Sequence, residues 1–121
     1  MKWDEQAERL RRKAAGDEEA VAALLDRPLV PDEVVGFHAQ QAVEKLLKAL
    51  LNHRRVAFRR THDLTELLDL LTAADVVVPA EIAEVRQLGP YAAELRYEDI
   101  SFGTEEPFDR RWAAECVKRT R

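Results

Sequence analysis

The sequence has few of the residues that cross-link a chain or divide it into many short strands. Cys116 is the only cysteine, which excludes an internal disulfide and a cluster of thiolates for structural zinc. No apolar run approaches the roughly 20 residues that a membrane helix needs, and no apolar leader follows Met1. Four glycines and five prolines are too few for a turn-rich sheet protein. We therefore expect a cytoplasmic, all-helical protein.

Charge is plentiful but unevenly distributed along the 121 residues, which we treat as one domain, 1–121. The net charge of -4 argues against binding nucleic acid over the whole surface. However, "HRRVAFRRTH" at 53–62 holds four arginines and no acid, whereas "YEDISFGTEE" at 97–106 holds four acids and no base. Any anion-binding site should therefore be local.

The spacing of apolar residues predicts an up-and-down bundle of four to five helices. The first runs from about Trp3 to Asp26, with a bend or a break at Gly16. The second runs from Asp32, as N-cap, to about Asn52. The third begins after Asp63, where the spacing to Glu66 suggests a capping box, and ends near Ala74.

Two further helices are predicted after the Val triplet at 76–78, which we interpret as a buried connector. A fourth helix should begin at Pro79 and reach about Tyr97, with a kink or a division at Pro90. A fifth should follow Pro107, with Phe108, Trp112 and Cys116 on one face.

The second helix carries polar residues that form a stripe. At 100° per residue, its apolar positions cover an arc of roughly 160°, so this helix should be central. The opposite arc holds His38, Gln41, Glu44, Lys45 and Lys48. Two interpretations stay open here: a solvated face with an i, i+4 pair between Glu44 and Lys48, or a functional groove.

Phe37 lies in the middle of this polar arc, where an exposed aromatic ring would need a cover. A second copy of the helix across a two-fold axis would supply one, since isologous dimers are the commonest oligomers. Phe37 is therefore predicted to lie at the seam of a homodimer.

Three segments taken in order resemble the HEPN domain of small prokaryotic proteins: "FHAQQAVEKLLKALL", "RTHDLTELL" and "YAAELRYED". The resemblance extends from the first helix to about Asp99. It implies a helical bundle that is either a metal-independent ribonuclease, often a toxin, or a non-catalytic partner of a minimal nucleotidyltransferase. It also implies a ligand-binding groove lined by Gln41, Lys45, Arg96 and Tyr97.

The sequence departs from the pattern of the nucleases, in which an arginine is followed four to six residues later by a histidine. Arg96 stands in the arginine position, but residues 100–103 hold no histidine. His62, or less directly His38, could act as proton donor instead, with Arg96 as phosphate clamp. In the alternative interpretation, His62 only forms a local hydrogen bond, and Arg96 pairs with an acid such as Glu44. Glu98 and Asp99 lack further ligands beside them, so no metal site and no cofactor is expected.

Apart from the resemblance, the strongest indication of a binding site is the loop between the second and third helices. It surrounds Phe58 with four arginines that could hold phosphates while the ring stacks a base: Arg54, Arg55, Arg59 and Arg60. The alternative is that the cations complement the helix dipole. The sequence thus predicts a protein that binds a nucleotide, RNA or a cognate nucleotidyltransferase in a toxin-antitoxin-like module. A ribonuclease and a purely structural dimerisation module are the alternatives.

Overall fold

A computed structural model describes residues 3–79, 82, 88 and 110–120, and it contains four helices. They are α1 (Trp3–Leu24), α2 (Asp32–His53), α3 (Leu64–Ala73) and α4 (Arg110–Thr120). No strand occurs among these described residues. The predicted all-α helical bundle is confirmed. No helix in the same part of the chain is both long enough and apolar enough to cross a membrane.

Contacts between side chains give the directions of the helices. Asp17 of α1 contacts His38 of α2, whereas Asp4 at the start of α1 contacts Arg55 just after the end of α2, so the two helices are antiparallel. At the start of α4, Arg111 contacts Asp26 just after α1, so α4 begins where α1 ends. Helix α1 therefore runs antiparallel to both α2 and α4, since Thr120 at the end of α4 lies near Ala7 in the first part of α1.

Helix α2 is enclosed on all sides, as the wide apolar arc predicted. None of its residues from 32 to 52 is exposed. Helix α3 adds four fully buried leucines at i, i+3, i+4 and i+7, namely Leu64, Leu67, Leu68 and Leu71. Full burial of such a side chain contributes about 1.5–3 kcal/mol, so this short helix is held mainly by its apolar face.

The N-cap prediction is confirmed for α3 and wrong for α2. The Asp63 carboxylate accepts hydrogen bonds from the amides of Thr65 and Glu66 at 2.9 and 3.2 Å. The capping box is not completed, because the Asp63 amide donates to the Thr61 hydroxyl instead. Helix α2 is preceded by Pro31, which caps it without a side-chain hydrogen bond, and Asp32 lies in the first turn. The fixed φ of proline lets the helix begin directly after it.

Helices α2 and α3 both end without glycine. Arg55 and Asp75 adopt positive φ angles of 59° and 64°. In each case the next amide, of Val56 or Val76, bonds back to the carbonyl five residues earlier at 2.9 or 3.0 Å. This is the Schellman motif, which usually has glycine at the left-handed position.

The remaining predictions on helices are confirmed in part. Helix α1 runs through Gly16 without a break and ends two residues before Asp26. The Val triplet is not wholly buried: Val76 and Val78 pack on the core, but Val77 is 88% exposed. Of the predicted fourth helix, the amide of Ile82 bonds to the Pro79 carbonyl at 2.9 Å. Its continuation through Pro90 to Tyr97 lies outside the described residues.

The last predicted helix corresponds to α4. Cys116 is fully buried and Trp112 packs against the core, as their shared face predicted. Pro107 and Phe108 lie outside the described residues.

Candidate functional site

The centre of the polar stripe of α2, at Glu44 and Lys48, is covered by protein rather than open to solvent. The Glu44 side chain is only 5% exposed, and that of Lys48 is 13% exposed. The i, i+4 pair between them forms at 2.9 Å, as predicted. The solvated-face interpretation is nevertheless wrong for these residues, because other polar side chains cover them.

Glu44 is the centre of the first of two clusters in the stripe. Its carboxylate accepts hydrogen bonds from Lys48 Nζ at 2.9 Å and Gln40 Nε2 at 3.0 Å. His62, from the loop before α3, places Nδ1 at 3.0 and 3.1 Å from the two carboxylate oxygens. Gln40 Nε2 also donates to the His62 carbonyl at 3.2 Å, so the cluster fixes the loop on α2. A buried carboxylate needs this many donors to offset its loss of hydration.

Asp17 of α1 is the centre of the second cluster, which includes residues 38 and 45 of α2. Its carboxylate contacts Lys45 Nζ at 2.5 Å and His38 Nδ1 at 2.9 Å. Each cluster thus combines one carboxylate, one lysine and one histidine. Because lysine and carboxylate charges cancel in both, the stripe carries no large excess of positive charge toward an anion.

The predicted ligand-binding residues are engaged within this framework. Gln41 donates to Gln40 Oε1 at 2.7 Å, and Lys45 contacts Asp17. Neither side chain is exposed. Arg96 and Tyr97, which complete the predicted groove, lie outside the described residues, as does the predicted pair between Arg96 and Glu44.

The imidazole of His62 is anchored on one side and open on the other. The Nδ1 contact to a carboxylate requires the hydrogen on Nδ1, which leaves Nε2 as the unprotonated nitrogen of the neutral ring. The side chain is 65% exposed. The hydrogen bond is not local to the helix start, as one alternative held, but reaches across to α2. This arrangement can present Nε2 as a proton acceptor to a bound molecule.

The arginine loop, residues 54–60, has four exposed arginines that differ in their contacts. Arg59 makes two parallel hydrogen bonds to Glu66 at 2.7 and 2.8 Å. This hydrogen bond, and then the charge of the carboxylate, raise the pKa of Arg59 above its ordinary value. Arg55 lies 3.6 Å from Asp4. Arg54 and Arg60 make no ion pair in the part of the chain that the structure describes.

Two details of this loop bear on its use. Arg55 occupies a left-handed conformation because it ends α2, as Asp75 ends α3. Phe58 is not a free stacking platform, since it packs against the core with Lys48 Nζ 5.8 Å from the ring centre. Phe58 is only half-buried, so the stacking of a base on the accessible part of its ring stays a prediction.

Phe37 is half-buried within the polar stripe. Its ring meets that of His38 edge to face, with the centres 5.4 Å apart and an interplanar angle of 72°. Part of the ring stays accessible within one protomer, so the dimer seam remains a prediction. No group of three potential metal ligands occurs among the residues described.

Sequence reasoning missed three residues that complete the site. Asp17 stands in an acidic run on α1 that looks like an ordinary solvated turn, and only the packing of α1 on α2 reveals its role. Gln40 falls at the edge of the helical wheel between the two arcs. Asn52 is buried, its side-chain NH₂ has no partner among the described residues, and it continues the stripe one turn beyond Lys48. Its position on the wheel, beside Gln41, was the available signal.

Comparison with known proteins identifies the domain family of the chain. A family model with the description HEPN domain matches residues 7–121. Neither the curated proteins nor the solved structures gave a match to the chain. The match covers all four helices apart from the first turn of α1.

Proposed function

Since the chain belongs to the HEPN domain family, we propose that it acts by binding a phosphate-bearing ligand, RNA or a nucleotide, through the arginine loop. The observation that supports this is the exposure of Arg54 and Arg60, which lack an ion pair among the described residues. Guanidinium groups bind phosphate oxygens through paired N–H donors. On a protein of net charge -4, this loop would be the local attraction for a polyanion.

The groove residues predicted from the sequence form the second part of the proposal. Gln41, Lys45, Arg96 and Tyr97 would contact the ligand beyond the loop. Lys45 would then exchange its contact with Asp17 for one with a phosphate. Contact with the groove would therefore contribute less affinity than contact with the loop.

The test is a titration of fluorescein-labelled single-stranded RNA at several salt concentrations. The double variant Arg54→Gln/Arg60→Gln should bind more weakly, and its plot of log K against log salt should be less steep by roughly 1.4. Arg27→Gln/Arg111→Gln removes the same charge at the opposite end of the bundle and should bind as the wild type does. Lys45→Ala/Arg96→Ala tests the groove.

A competition step in this titration distinguishes RNA from a nucleotide as the ligand. Displacement of the RNA by a mononucleotide would identify a nucleotide as the ligand, and its failure would favour RNA. Equal loss of affinity in both arginine pairs would refute the loop, because it would show an effect of net charge alone. If neither ligand binds, the proposal fails and the alternatives of a cognate nucleotidyltransferase or a structural module gain support.

We further propose that the protein is a homodimer and one half of a toxin-antitoxin-like pair with a minimal nucleotidyltransferase. The half-buried Phe37 on the polar stripe supports the dimer. The support for the pairing is the family resemblance together with the missing histidine after Arg96.

A second candidate function, a metal-independent ribonuclease, is favoured by one observation. His62 is fixed by the buried Glu44 at Nδ1 while its ring is 65% exposed beside the arginine loop. A carboxylate that holds an imidazole in this way stabilises the imidazolium formed on proton transfer. His62 would remove or donate a proton, and Arg96 would clamp the phosphate.

This alternative is tested by incubating RNA with the protein in EDTA. Cleavage should be lost in His62→Gln and in Arg96→Ala, and kept in His53→Gln, which changes an exposed histidine nearby that has no carboxylate partner in the described structure. Absence of cleavage by the wild type would reject the ribonuclease and leave the binding role.

A further inference from the structure

A pocket of about 220 Å³ opens between α1, α2 and α4, away from the polar stripe. Its floor is apolar and includes Leu46, Ala49 and Leu50, which are at least half-buried. Neither the arginine loop nor the groove uses these side chains. The pocket is therefore separate from the site proposed above.

The rim of the pocket carries the positive charge of Arg11. Arg11 of α1 and His53 at the end of α2 line it, together with Thr120 of α4. Both Arg11 and His53 are exposed, and neither has an ion pair in the described part of the chain. Among the residues that the structure describes, the lining holds no acid.

Two of the three acids in the first two turns of α1 contact other cations. Asp4 lies 3.6 Å from Arg55, and Glu8 lies 4.0 Å from Arg12. Within the described ranges, Arg11 thus has no acidic partner for its donors at the mouth of the apolar pocket. An anion bound there would gain charge-assisted hydrogen bonds that the protein itself does not supply.

The volume limits the size of the occupant. An apolar cavity of roughly 150 Å³ binds benzene, and sites for drug-sized ligands begin at about 300 Å³. The present pocket lies between these values. It suits one ring or a short alkyl chain, with a charged group left at the rim.

We propose that this pocket binds a small amphiphilic monoanion, an aromatic or aliphatic group that ends in a carboxylate. The apolar part lies on Leu46, Ala49 and Leu50. The carboxylate is held by Arg11, with His53 as a second donor. The site is independent of the proposed function, because it shares no residue with it.

The test uses three probes of one shape: phenylpropionate, phenylpropanol and phenylpropylamine. Binding is followed by the amide chemical shifts of the full-length protein. Phenylpropionate should bind most tightly and should shift the amides of Leu46, Ala49 and Leu50. Arg11→Gln should weaken phenylpropionate by about tenfold or more, and should leave phenylpropanol unchanged.

The neighbouring arginine supplies the matched control. Arg12→Gln removes the same charge from α1 but does not line the pocket, so binding should not change. Ala49→Phe should fill the floor and abolish binding of all three probes, with the helical circular dichroism confirming that the variant folds. Arg54→Gln/Arg60→Gln should bind phenylpropionate normally.

Three results would overturn the proposal. Equal binding of the amine and the carboxylate would show that the rim does not select an anion. Equal losses in Arg11→Gln and Arg12→Gln would show that only net charge matters. A changed oligomeric mass in Ala49→Phe, with phenylpropionate failing to bind the wild type, would indicate that a second copy of the chain occupies this surface.

Discussion

Replacement of Glu44 should be the most destabilising change of a single charge in the described polar stripe. Glu44→Leu removes the acceptor for Lys48, Gln40 and His62 at once. The Lys48 side chain is 13% exposed, so its ammonium group would be left largely buried without a counter-ion. Loss of one partner from such a pair costs about 3–5 kcal/mol. That is a large share of the 5–15 kcal/mol by which small domains are usually stable.

A second substitution separates the effect of the unpaired Lys48 cation from the effect of lost packing. In Glu44→Leu/Lys48→Met no cation is left unpaired, so roughly 2 kcal/mol of the loss should be recovered. Urea denaturation followed by helical circular dichroism measures both variants. Two protein concentrations are needed to separate unfolding from any change in self-association.

The control is Glu8→Ala, because Glu8 is 61% exposed and lies 4.0 Å from Arg12. This change should shift the free energy of unfolding by less than about 1 kcal/mol. The reasoning would be refuted if Glu44→Leu stayed within about 1 kcal/mol of the wild type. A double variant no more stable than the single one would also refute it.

Three smaller predictions follow from other positions. Asp63→Ala should lower the free energy of unfolding, measured in urea, by about 1 kcal/mol, because two amides at the start of α3 lose their acceptor. Asp69→Ala, on the exposed side of the same helix, should lower it less. Gly16→Ala should raise the free energy of unfolding by about 0.5–1 kcal/mol, since the added Cβ meets nothing within 4 Å. A loss of stability in this variant would contradict the prediction. Phe37→Glu should reduce the oligomeric mass in light scattering from dimer to monomer, and an unchanged mass would exclude Phe37 from the seam.

The helices could be predicted because their signals are local. Period-3.6 apolar spacing located α1, α2 and α3 to within about two residues at each end. The Asp63 cap was also visible in the sequence. The Schellman ends at Arg55 and Asp75 could not be recognised, because the usual signal is glycine and neither position has one.

The contacts within the site could be predicted less well, because they depend on which helices pack together. The helical wheel grouped His38, Lys45 and Lys48 correctly on one side of α2. It gave no information on what lies opposite, so the contact of Asp17 with His38 and Lys45 could not be anticipated. The same limitation applies to Phe58, which the sequence presents as an aromatic between arginines and which the fold packs, half-buried, against its core.

The pairing of charges within the stripe has a consequence for how the family can vary. Lys48 and Glu44 neutralise each other in a nearly dry environment, as do Lys45 and Asp17 beside them. A chain that loses one member keeps a buried charge that nothing compensates, whereas a chain that loses both can fill the space with apolar atoms. Among relatives with this bundle, each acid should therefore covary with its lysine: Asp17, although distant in sequence, with position 45, and Glu44 with position 48.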